Sequence, residues 1–363
     1  MIISRRSLIA AAPALLSAQS SSTELRVAYI GVGNRGSHTM RQLMRVPGAK
    51  VVAVADIDPE RVQKALDAIK EQGGEAKGYS DFRKMLDEMK DIDAVVIATP
   101  VDTHKDIAIA SLEVGKNVYL EKPVGLNSQE CKMIETASHS AKGILQLGFQ
   151  LRHDPNRASS MKFIREGGIG NVLYCHATRH GGDLPRDSTW YFDKKRSGDI
   201  IVEQACHIID LMVWAIGAPP LRAMGSGGIN LYKGVPPGRT IMDNWSAIWE
   251  FPNDVRLNFS QIYFDPSGFS GTHERVFGSK AAIELGNATW GEVEKRGELK
   301  KLEVNPDPGK NADYYAMEAF VQNSLGKKNP LNNIESAGLS TRVAIMGRMA
   351  IEQKKIIAWE DVA

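Results

Sequence analysis

The sequence predicts a two-domain α/β protein whose first domain is a doubly wound fold on a parallel sheet. Length favours two domains, because the chain has 363 residues and a domain commonly has about 100 to 200. Short apolar runs, which suit buried strands, alternate with amphipathic stretches in the first part of the chain. A glycine-rich turn follows the first apolar run, as in a strand that leads tightly into a helix.

Composition is that of a folded globular protein. Hydrophobic residues make up 43% and charged residues 24% of the chain, which excludes disordered, collagen-like, coiled-coil and small disulfide-rich proteins. The net charge of +2 argues against a dedicated nucleic-acid or anionic-membrane surface. The three cysteines have no metal-site spacing. We therefore expect a protein without a bound metal, a nucleic-acid partner or a membrane-spanning helix.

The first 23 residues have the pattern of a twin-arginine export signal. Arg5 and Arg6 precede a short uncharged run of alanine and leucine, and serine-rich sequence follows. A frayed terminus with a chance arginine pair is the alternative. We expect cleavage between Ala18 and Thr23 and a periplasmic or extracellular mature protein, and we leave residues 1–23 out of the fold.

The next residues have the pattern of a dinucleotide-binding βαβ unit. Residues 25–30 predict a strand, a Gly-x-Gly-x-x-Gly turn opens a helix to about residue 45, and residues 50–56 predict a second buried strand. Asp56 ends that strand, 20 positions after Gly36. The motif in this context indicates dinucleotide binding; a glycine-rich turn without a ligand is the alternative.

Each glycine of the motif has a distinct expected role. Gly31 would permit the tight turn, Gly33 would let a pyrophosphate approach the backbone, and Gly36 would allow close packing of helix on sheet. Free amides at the helix N-terminus would bind the phosphates. The cofactor-binding residues expected in this unit are Gly31, Gly33, Asn34, Arg35, Gly36 and Asp56.

Asp56 determines the expected cofactor. Its carboxylate would accept hydrogen bonds from the adenosine ribose and repel a 2′-phosphate, so NAD is expected in preference to NADP. Arg35 and Arg61 keep NADP open as the alternative.

The α/β alternation continues to the end of the first domain. A charged pair and a proline, Glu121-Lys122-Pro123, directly follow the strand predicted at residues 117–120, where open α/β sheets place ligands. The predicted elements are helices at residues 59–71, 81–89 and 103–114 and strands at residues 93–98 and 117–120.

Motifs in both halves of the chain resemble the Gfo/Idh/MocA oxidoreductase family. In the first half they are the glycine motif, Thr99-Pro100 with His104, Gly115-Lys116 and Glu121-Lys122-Pro123. In the second half, Trp190, Ser197-Gly198-Asp199 and residues 203–210 resemble the family's second signature. The resemblance covers nearly the whole mature chain.

The resemblance implies a Rossmann domain at residues 24–148 and a substrate-binding and oligomerisation α/β domain at residues 149–363. The second domain of the family carries a mostly antiparallel open sheet that packs against another subunit, so a homodimer or homotetramer is expected. Apolar periodicity agrees with this fold. It predicts strands at residues 172–180, 242–251, 255–264 and 281–285 and helices at residues 314–325 and 335–352.

In the family, the lysine of the Glu-Lys-Pro motif stabilises the substrate oxygen that becomes a carbonyl. Lys122 follows a strand end, where its ammonium could reach the nicotinamide edge and the developing alkoxide. A surface lysine is the alternative. The resemblance adds five residues to the expected cofactor-binding set: Thr99, Pro100, His104, Glu121 and Lys122.

Residues 200–216 predict one buried helix with Glu203, His207 and Asp210 on a single face. A neutral imidazole could take a hydroxyl proton, so His207 is the expected general base, and a core histidine is the alternative. Glu203 or Asp210 would orient the ring or couple to its charge. Glu203 stands where the family usually has aspartate, which leaves its role open.

The expected substrate is a small carbohydrate or polyol. Arg152, His153 and Asp154 follow an apolar run and are expected near the cleft, where they could bind sugar hydroxyls. Trp190 and Tyr191 could stack on a sugar ring and bind its hydroxyls beside His207. The function expected first is an exported oxidoreductase with tightly bound NAD. The alternatives are a redox-neutral NAD-dependent glycosidase and a non-catalytic dinucleotide sensor.

Overall fold

A computed structural model describes residues 24–182, 189–266, 268–269, 271–295, 297–326 and 328–362. The predicted export signal at residues 1–23 lies outside these residues. Within the described part of the chain, every helix is too short or too polar to cross a membrane.

The first sheet has six strands, and all of its strand pairs are parallel. The strand order is β3-β2-β1-β4-β5-β6, which confirms the doubly wound fold. The strands are β1 (Leu25–Ile30), β2 (Ala49–Ala55), β3 (Lys77–Tyr79), β4 (Ala94–Ile97), β5 (Asn117–Leu120) and β6 (Leu145–Leu147).

Five helices connect these strands. Local capping explains where they begin: the Asp58 carboxylate accepts hydrogen bonds from the amides of Glu60 and Arg61, and Pro59 occupies the first turn. The helices are α1 (Asn34–Leu43), α2 (Pro59–Glu71), α3 (Phe82–Glu88), α4 (His104–Glu113) and α5 (Ser128–Ser140).

A nine-stranded sheet dominates the second half of the described chain. Its order is β14-β13-β12-β11-β7-β10-β9-β8-β15, and β7 with β10 is its parallel pair. The other neighbours are antiparallel, which confirms the expected mostly antiparallel sheet. The strands are β7 (Val172–His180), β8 (Arg222–Gly228), β9 (Asn244–Glu250), β10 (Arg256–Ile262), β11 (Gly271–Gly278), β12 (Ala281–Glu284), β13 (Thr289–Glu292), β14 (Lys300–Lys301) and β15 (Ile357–Ala358).

Alternating side chains give this sheet one buried face. In β9, Trp245 and Trp249 are buried whereas Ser246 is exposed. Helices pack on the buried side. The helices of this half are α6 (Pro155–Arg165), α7 (Lys194–Ser197), α8 (Asp199–Glu203), α9 (Cys206–Ile216), α10 (Ala312–Gly326) and α11 (Ile334–Gln353).

The single helix predicted at residues 200–216 is wrong, because the chain breaks there into α8 and α9. Gln204 lies in the break, and its side-chain oxygen accepts hydrogen bonds from Arg179 and Gln261, both at 3.3 Å. These partners belong to strands of the second sheet, so tertiary hydrogen bonds interrupt the helix. Glu203 and His207 consequently lie on different helices and not on one helical face.

α8 begins at a residue with an unfavourable backbone conformation. Asp199 has φ of 72°, a region that non-glycine residues seldom adopt. Its carboxylate is buried and accepts hydrogen bonds from the amides of Ile200 (2.7 Å) and Met242 (3.0 Å). Burial raises the pKa of Asp199 to about 6.

α10 returns to the first sheet. Its buried side chains Met317 and Phe320 belong to the same apolar core as Val27 and Tyr29 of β1, and the Tyr29 hydroxyl lies 3.7 Å from the Met317 sulfur. The boundary predicted at residue 148 therefore assigns to the second domain a helix that completes the core of the first.

Candidate active site

The glycine turn between β1 and α1 has no space for a Cβ at Gly31 or Gly36. Gly31 has φ of +85°, and a Cβ there would lie 2.7 Å from the carbonyl oxygen of Ala98. A Cβ on Gly36 would overlap the Gly31 carbonyl oxygen, so α1 packs directly on the turn. The first turn of α1 has no acidic residue and no side-chain cap. Its amides are thus available to an anion, as a dinucleotide pyrophosphate requires.

Asp56 lies beside this turn at the end of β2. One carboxylate oxygen accepts a hydrogen bond from the Val32 amide (2.9 Å) and the other from the Asp58 amide (3.0 Å). The Arg61 guanidinium lies 3.3 Å from the Cβ position of Gly33 and 3.3 Å from the Asp58 carboxylate. Asp56 therefore has the position expected of a ribose ligand, and Arg61 lies near the phosphate side of the turn.

Arg35 does not point toward the ribose end of the turn. Its Nε donates to Glu121 at 2.7 Å, and its Nη2 lies 2.8 Å from Asp313 at an angle that is poor for a hydrogen bond. Two carboxylates thus occupy the guanidinium, which opposes the expectation that Arg35 binds the cofactor or a 2′-phosphate. The contact instead ties α1 to Glu121, directly before Lys122, and to α10.

Lys122 is buried between the two domains. Its ammonium donates to the Glu203 carboxylate and to the Glu203 carbonyl oxygen, both at 2.7 Å. The two side chains are 10% and 13% exposed. Burial lowers the pKa of Lys122, but the Glu203 carboxylate outweighs burial, and the net pKa is raised. Lys122 therefore carries its charge at neutral pH, and Glu203 is its partner, not the partner of His207.

His207 is neutral at physiological pH. Burial, together with the charge of Lys122, holds the pKa of His207 well below its ordinary value. Its Nδ1 is buried and has no hydrogen-bond partner among the described residues. The ring packs edge-on against Phe149 at 6.1 Å. An unpaired, neutral imidazole is suited to accept a proton, and neither expected carboxylate orients it.

Asp210 lies in a buried ion pair with Arg152. Both of its oxygens accept from the Arg152 guanidinium, at 2.6 and 2.7 Å, and Ser340 donates a further hydrogen bond at 2.7 Å. The charged side chains are 4% and 1% exposed. This geometry opposes the substrate-binding role expected of Arg152 and the ring-orienting role expected of Asp210, because each group is satisfied by the other.

The two aromatic candidates differ in exposure. Tyr191 is 3% exposed, and its hydroxyl is hydrogen-bonded to the Tyr263 hydroxyl at 2.7 Å. Tyr263 in turn donates to the Gln204 side chain. Tyr191 therefore has no ring face for a sugar to stack on, whereas half-buried Trp190, which packs against it at 6.0 Å, remains a candidate.

The loop after β4 contacts the glycine turn but does not present His104 to it. The Thr99 methyl carbon lies 2.8 Å from the Cβ position of Gly31, and Thr99 and Pro100 are half-buried. His104 is 1% exposed, and both ring nitrogens face backbone carbonyls. This burial opposes the expectation that His104 binds the cofactor.

Two further polar groups lie in this region, His153, which was expected near the cleft, and Gln150, which was not. Gln150 Oε1 and His153 Nε2 are buried and, like His207 Nδ1, lack a partner within the described part of the chain. Burial lowers the pKa of His153 to about 4, so its ring is neutral. Both residues lie in a 3₁₀ turn next to Phe149. The sequence of this segment does not show which of its polar side chains lack a hydrogen-bond partner. Across the described residues, no group of three or more His, Cys, Asp or Glu side chains could hold a metal ion.

The glycine turn, the acidic strand end and the lysine at the domain junction define a nucleotide-binding oxidoreductase fold. Residues 25–149 match the model of the oxidoreductase family with an NAD-binding Rossmann fold, and residues 160–284 match the GFO/IDH/MocA C-terminal domain. The chain belongs to the Gfo/Idh/MocA family, and NAD is the cofactor of its Rossmann domain.

Known proteins are similar to parts or to the whole of this chain. Inositol 2-dehydrogenase of Salmonella typhimurium (strain LT2) is 31% identical over 194 residues, which are 53% of this chain and 54% of that protein. The chain thus matches about half the length of this curated relative. A levoglucosan dehydrogenase in complex with NADH has a TM-score of 0.79 at 19% identity, covering 92% of this chain and 99% of its own.

Aldose-aldose oxidoreductase of Caulobacter crescentus, complexed with glycerol, also has a TM-score of 0.79, at 17% identity over 92% of this chain and 99% of its own. At these identities the structural similarities show the fold alone.

Proposed function

We propose that the protein transfers hydride between a sugar or polyol hydroxyl and NAD. The observation that supports this most directly is geometric: the Lys122 ammonium is held by Glu203 at the domain junction, and His207, four residues after Glu203, has a buried and unpaired Nδ1. A stabilised alkoxide and a proton acceptor are the two groups that oxidation of an alcohol requires from a protein. The inositol 2-dehydrogenase relative is consistent with a polyol substrate.

Lys122 has one donor left for the substrate. Its ammonium has three protons, and two hydrogen bonds go to Glu203. The third can be donated to the substrate oxygen. Because the site is buried, a fixed positive charge there stabilises a developing alkoxide more than it would in water.

His207 can take the hydroxyl proton. Its neutral ring has one nitrogen free to accept, and no carboxylate competes for Nδ1. The unpaired polar groups of Gln150 and His153 add hydrogen-bonding capacity in the same buried region. Buried polar groups without partners are costly, and a polyhydroxylated substrate would satisfy them.

The turn at Gly31, Gly33 and Gly36 and the carboxylate of Asp56 would hold NAD. The turn accommodates a pyrophosphate because side chains are absent where the backbone approaches it. When bound, NAD supplies the hydride acceptor. The protein orients the substrate, stabilises its oxygen and holds its proton.

Two variants and a matched control test this assignment. We expect Lys122→Ala to lower kcat by about 10²- to 10³-fold and His207→Ala by about 10²- to 10⁴-fold, with NAD affinity retained. Lys84→Ala, which removes an exposed lysine paired with Glu88, should leave both quantities unchanged. Turnover of inositols and aldoses would be followed by NADH absorbance. Undiminished turnover in both site variants would contradict the roles assigned to Lys122 and His207. A parent protein that binds NAD but turns over none of these substrates would favour a non-catalytic sensor.

Export is the second part of the proposal. The predicted twin-arginine signal would deliver a folded, NAD-loaded protein to a compartment without free NAD, so the cofactor would be recycled in place. Protein purified without added NAD should then show one stoichiometric rise in NADH with a sugar or polyol, and a second carbonyl compound should reverse it. Catalytic release of nitrophenol from aryl glycosides without net NADH would instead establish the glycosidase. We also propose a homodimer or homotetramer, which light scattering can test.

A further inference from the structure

His104 joins the two loops that end β4 and β5. Its Nδ1 lies 2.8 Å from the carbonyl oxygen of Pro123, and its Nε2 lies 3.1 Å from the carbonyl oxygen of Thr99. The ring is 1% exposed, so neither water nor a ligand replaces these contacts. The histidine therefore links the loop beside the glycine turn to the segment that contains Lys122.

A neutral ring can satisfy only one of the two carbonyls. Carbonyl oxygens accept and never donate, so each contact requires a proton on the facing nitrogen. Burial lowers the pKa of His104, and the neutral ring has a single N–H. The shorter contact identifies Nδ1 as the nitrogen that carries it, and the Pro123 carbonyl as its acceptor.

The Lys122 segment depends on few other hydrogen bonds. The Glu121 amide donates to Ile97 at 2.9 Å, but the Lys122 amide reaches only its neighbour's carboxylate at 3.3 Å, and Pro123 has no amide proton. From this backbone, the Lys122 side chain crosses to two oxygens of Glu203 in the other domain. A displacement of about 1 Å at such a group can lower a rate by about 10²-fold.

We propose that His104 is a positioning residue for Lys122: its Nδ1–H holds the Pro123 carbonyl and thereby aims the Lys122 ammonium at Glu203 and the substrate oxygen. The inference rests on the proposed function of Lys122. It assigns His104 no contact with substrate or cofactor.

Substituting His104 by asparagine or by glutamine distinguishes the roles of its two ring nitrogens. The amide nitrogen of asparagine occupies about the place of Nδ1, and that of glutamine about the place of Nε2. We therefore expect His104→Asn to keep kcat within about fivefold and His104→Gln to lower it by about 10²-fold. KM and NAD affinity should stay within about threefold of the parent in both variants. Equal losses in the two variants would overturn the proposal.

The titration of Lys122 supplies a readout that a purely structural histidine would not change. Its pKa is raised by Glu203 and also depends on nearby Cys206 and Glu121. If the Lys122 ammonium moves away from Glu203, the carboxylate no longer raises its pKa to the same extent. The pKa of Lys122, read by NMR of the NAD-free protein, should therefore fall in His104→Gln and stay at the parent value in His104→Asn.

The unmodified protein provides a test that needs no variant to fold. Nitrogen-15 NMR of histidine-labelled protein should show His104 with its proton on Nδ1; a proton on Nε2 would overturn the assignment. Failure of the proposed function is recognised separately, because the parent protein would then turn over no sugar or polyol. In that event the tautomer and the Lys122 titration still decide the positioning role.

Discussion

The buried ion pair of Arg152 and Asp210 allows a quantitative prediction. Asp210→Asn keeps the shape of the side chain but removes its charge, and it leaves the Arg152 guanidinium 4% exposed without a counter-ion. Loss of one partner of such a pair costs about 3 to 5 kcal/mol of unfolding free energy. That cost corresponds to an increase of about 150-fold to about 4,000-fold in the unfolding equilibrium constant.

An exposed pair with the same separation is the matched control. Arg26 and Asp91 also lie 2.6 Å apart, but their side chains are 35% and 63% exposed. Asp91→Asn should therefore cost no more than about 1 kcal/mol. The two pairs share their shortest distance, but Arg152 donates to both carboxylate oxygens of Asp210 whereas Arg26 donates to one carboxylate oxygen of Asp91. The comparison therefore measures the combined effect of burial and of the second hydrogen bond.

Urea unfolding measures the difference. Trp214 reports on the buried pair, since the Arg152 guanidinium lies 5.1 Å from its ring. The double variant Arg152→Met with Asp210→Leu should recover most of the lost stability, because well-packed apolar groups commonly replace a buried pair without net cost. Similar losses in Asp210→Asn and Asp91→Asn would refute the reasoning.

Two further predictions concern Asp199 and Gly36. The raised pKa of Asp199, about 6, means that the native protein binds a proton more tightly than the unfolded chain, so its stability falls by about 3 kcal/mol as pH rises from about 4 through about 6. Asp199→Asn should flatten this slope in urea titrations across that range, whereas Asp254→Asn, at an exposed position with φ of 58°, should not. Gly36→Ala should cost about 1 to 3 kcal/mol and abolish NAD binding measured by calorimetry, because the added methyl overlaps the Gly31 carbonyl. Gly338→Ala, in α11 with open space around its Cβ position, should keep NAD affinity; an unchanged affinity in Gly36→Ala would contradict the packing argument.

Local signals made the first domain predictable. The strand at residues 25–30 and the helix at residues 59–71 were predicted with the bounds that the structure shows. Their ends depend on a glycine turn, a capping aspartate and a proline, all within a few residues. The position of Lys122 at a strand end was predictable for the same reason, since parallel strands present their carboxyl ends at one edge.

Contacts between distant residues limited the rest. The break at Gln204 depends on Arg179 and Gln261, which are 25 and 57 residues away, and no local pattern marks it. Arg152 and Asp210 are 58 residues apart, so Arg152 was expected to bind substrate and Asp210 to orient His207, and the sequence did not show that they pair with each other. The short strand β3 was not predicted, because Lys77–Tyr79 has only three residues and one buried side chain.

The return of α10 to the first sheet has a consequence for synthesis on the ribosome. The Rossmann core cannot close over β1 until Met317 and Phe320 have emerged, 288 residues after Tyr29 in the case of the Met317 contact. During co-translational folding an N-terminal domain is usually completed first. Here the apolar face of the first sheet that α10 covers would stay exposed until the whole second sheet has been synthesised. The two halves of the protein therefore mature together, and a nascent chain that stalls in the second half would expose that face to chaperones.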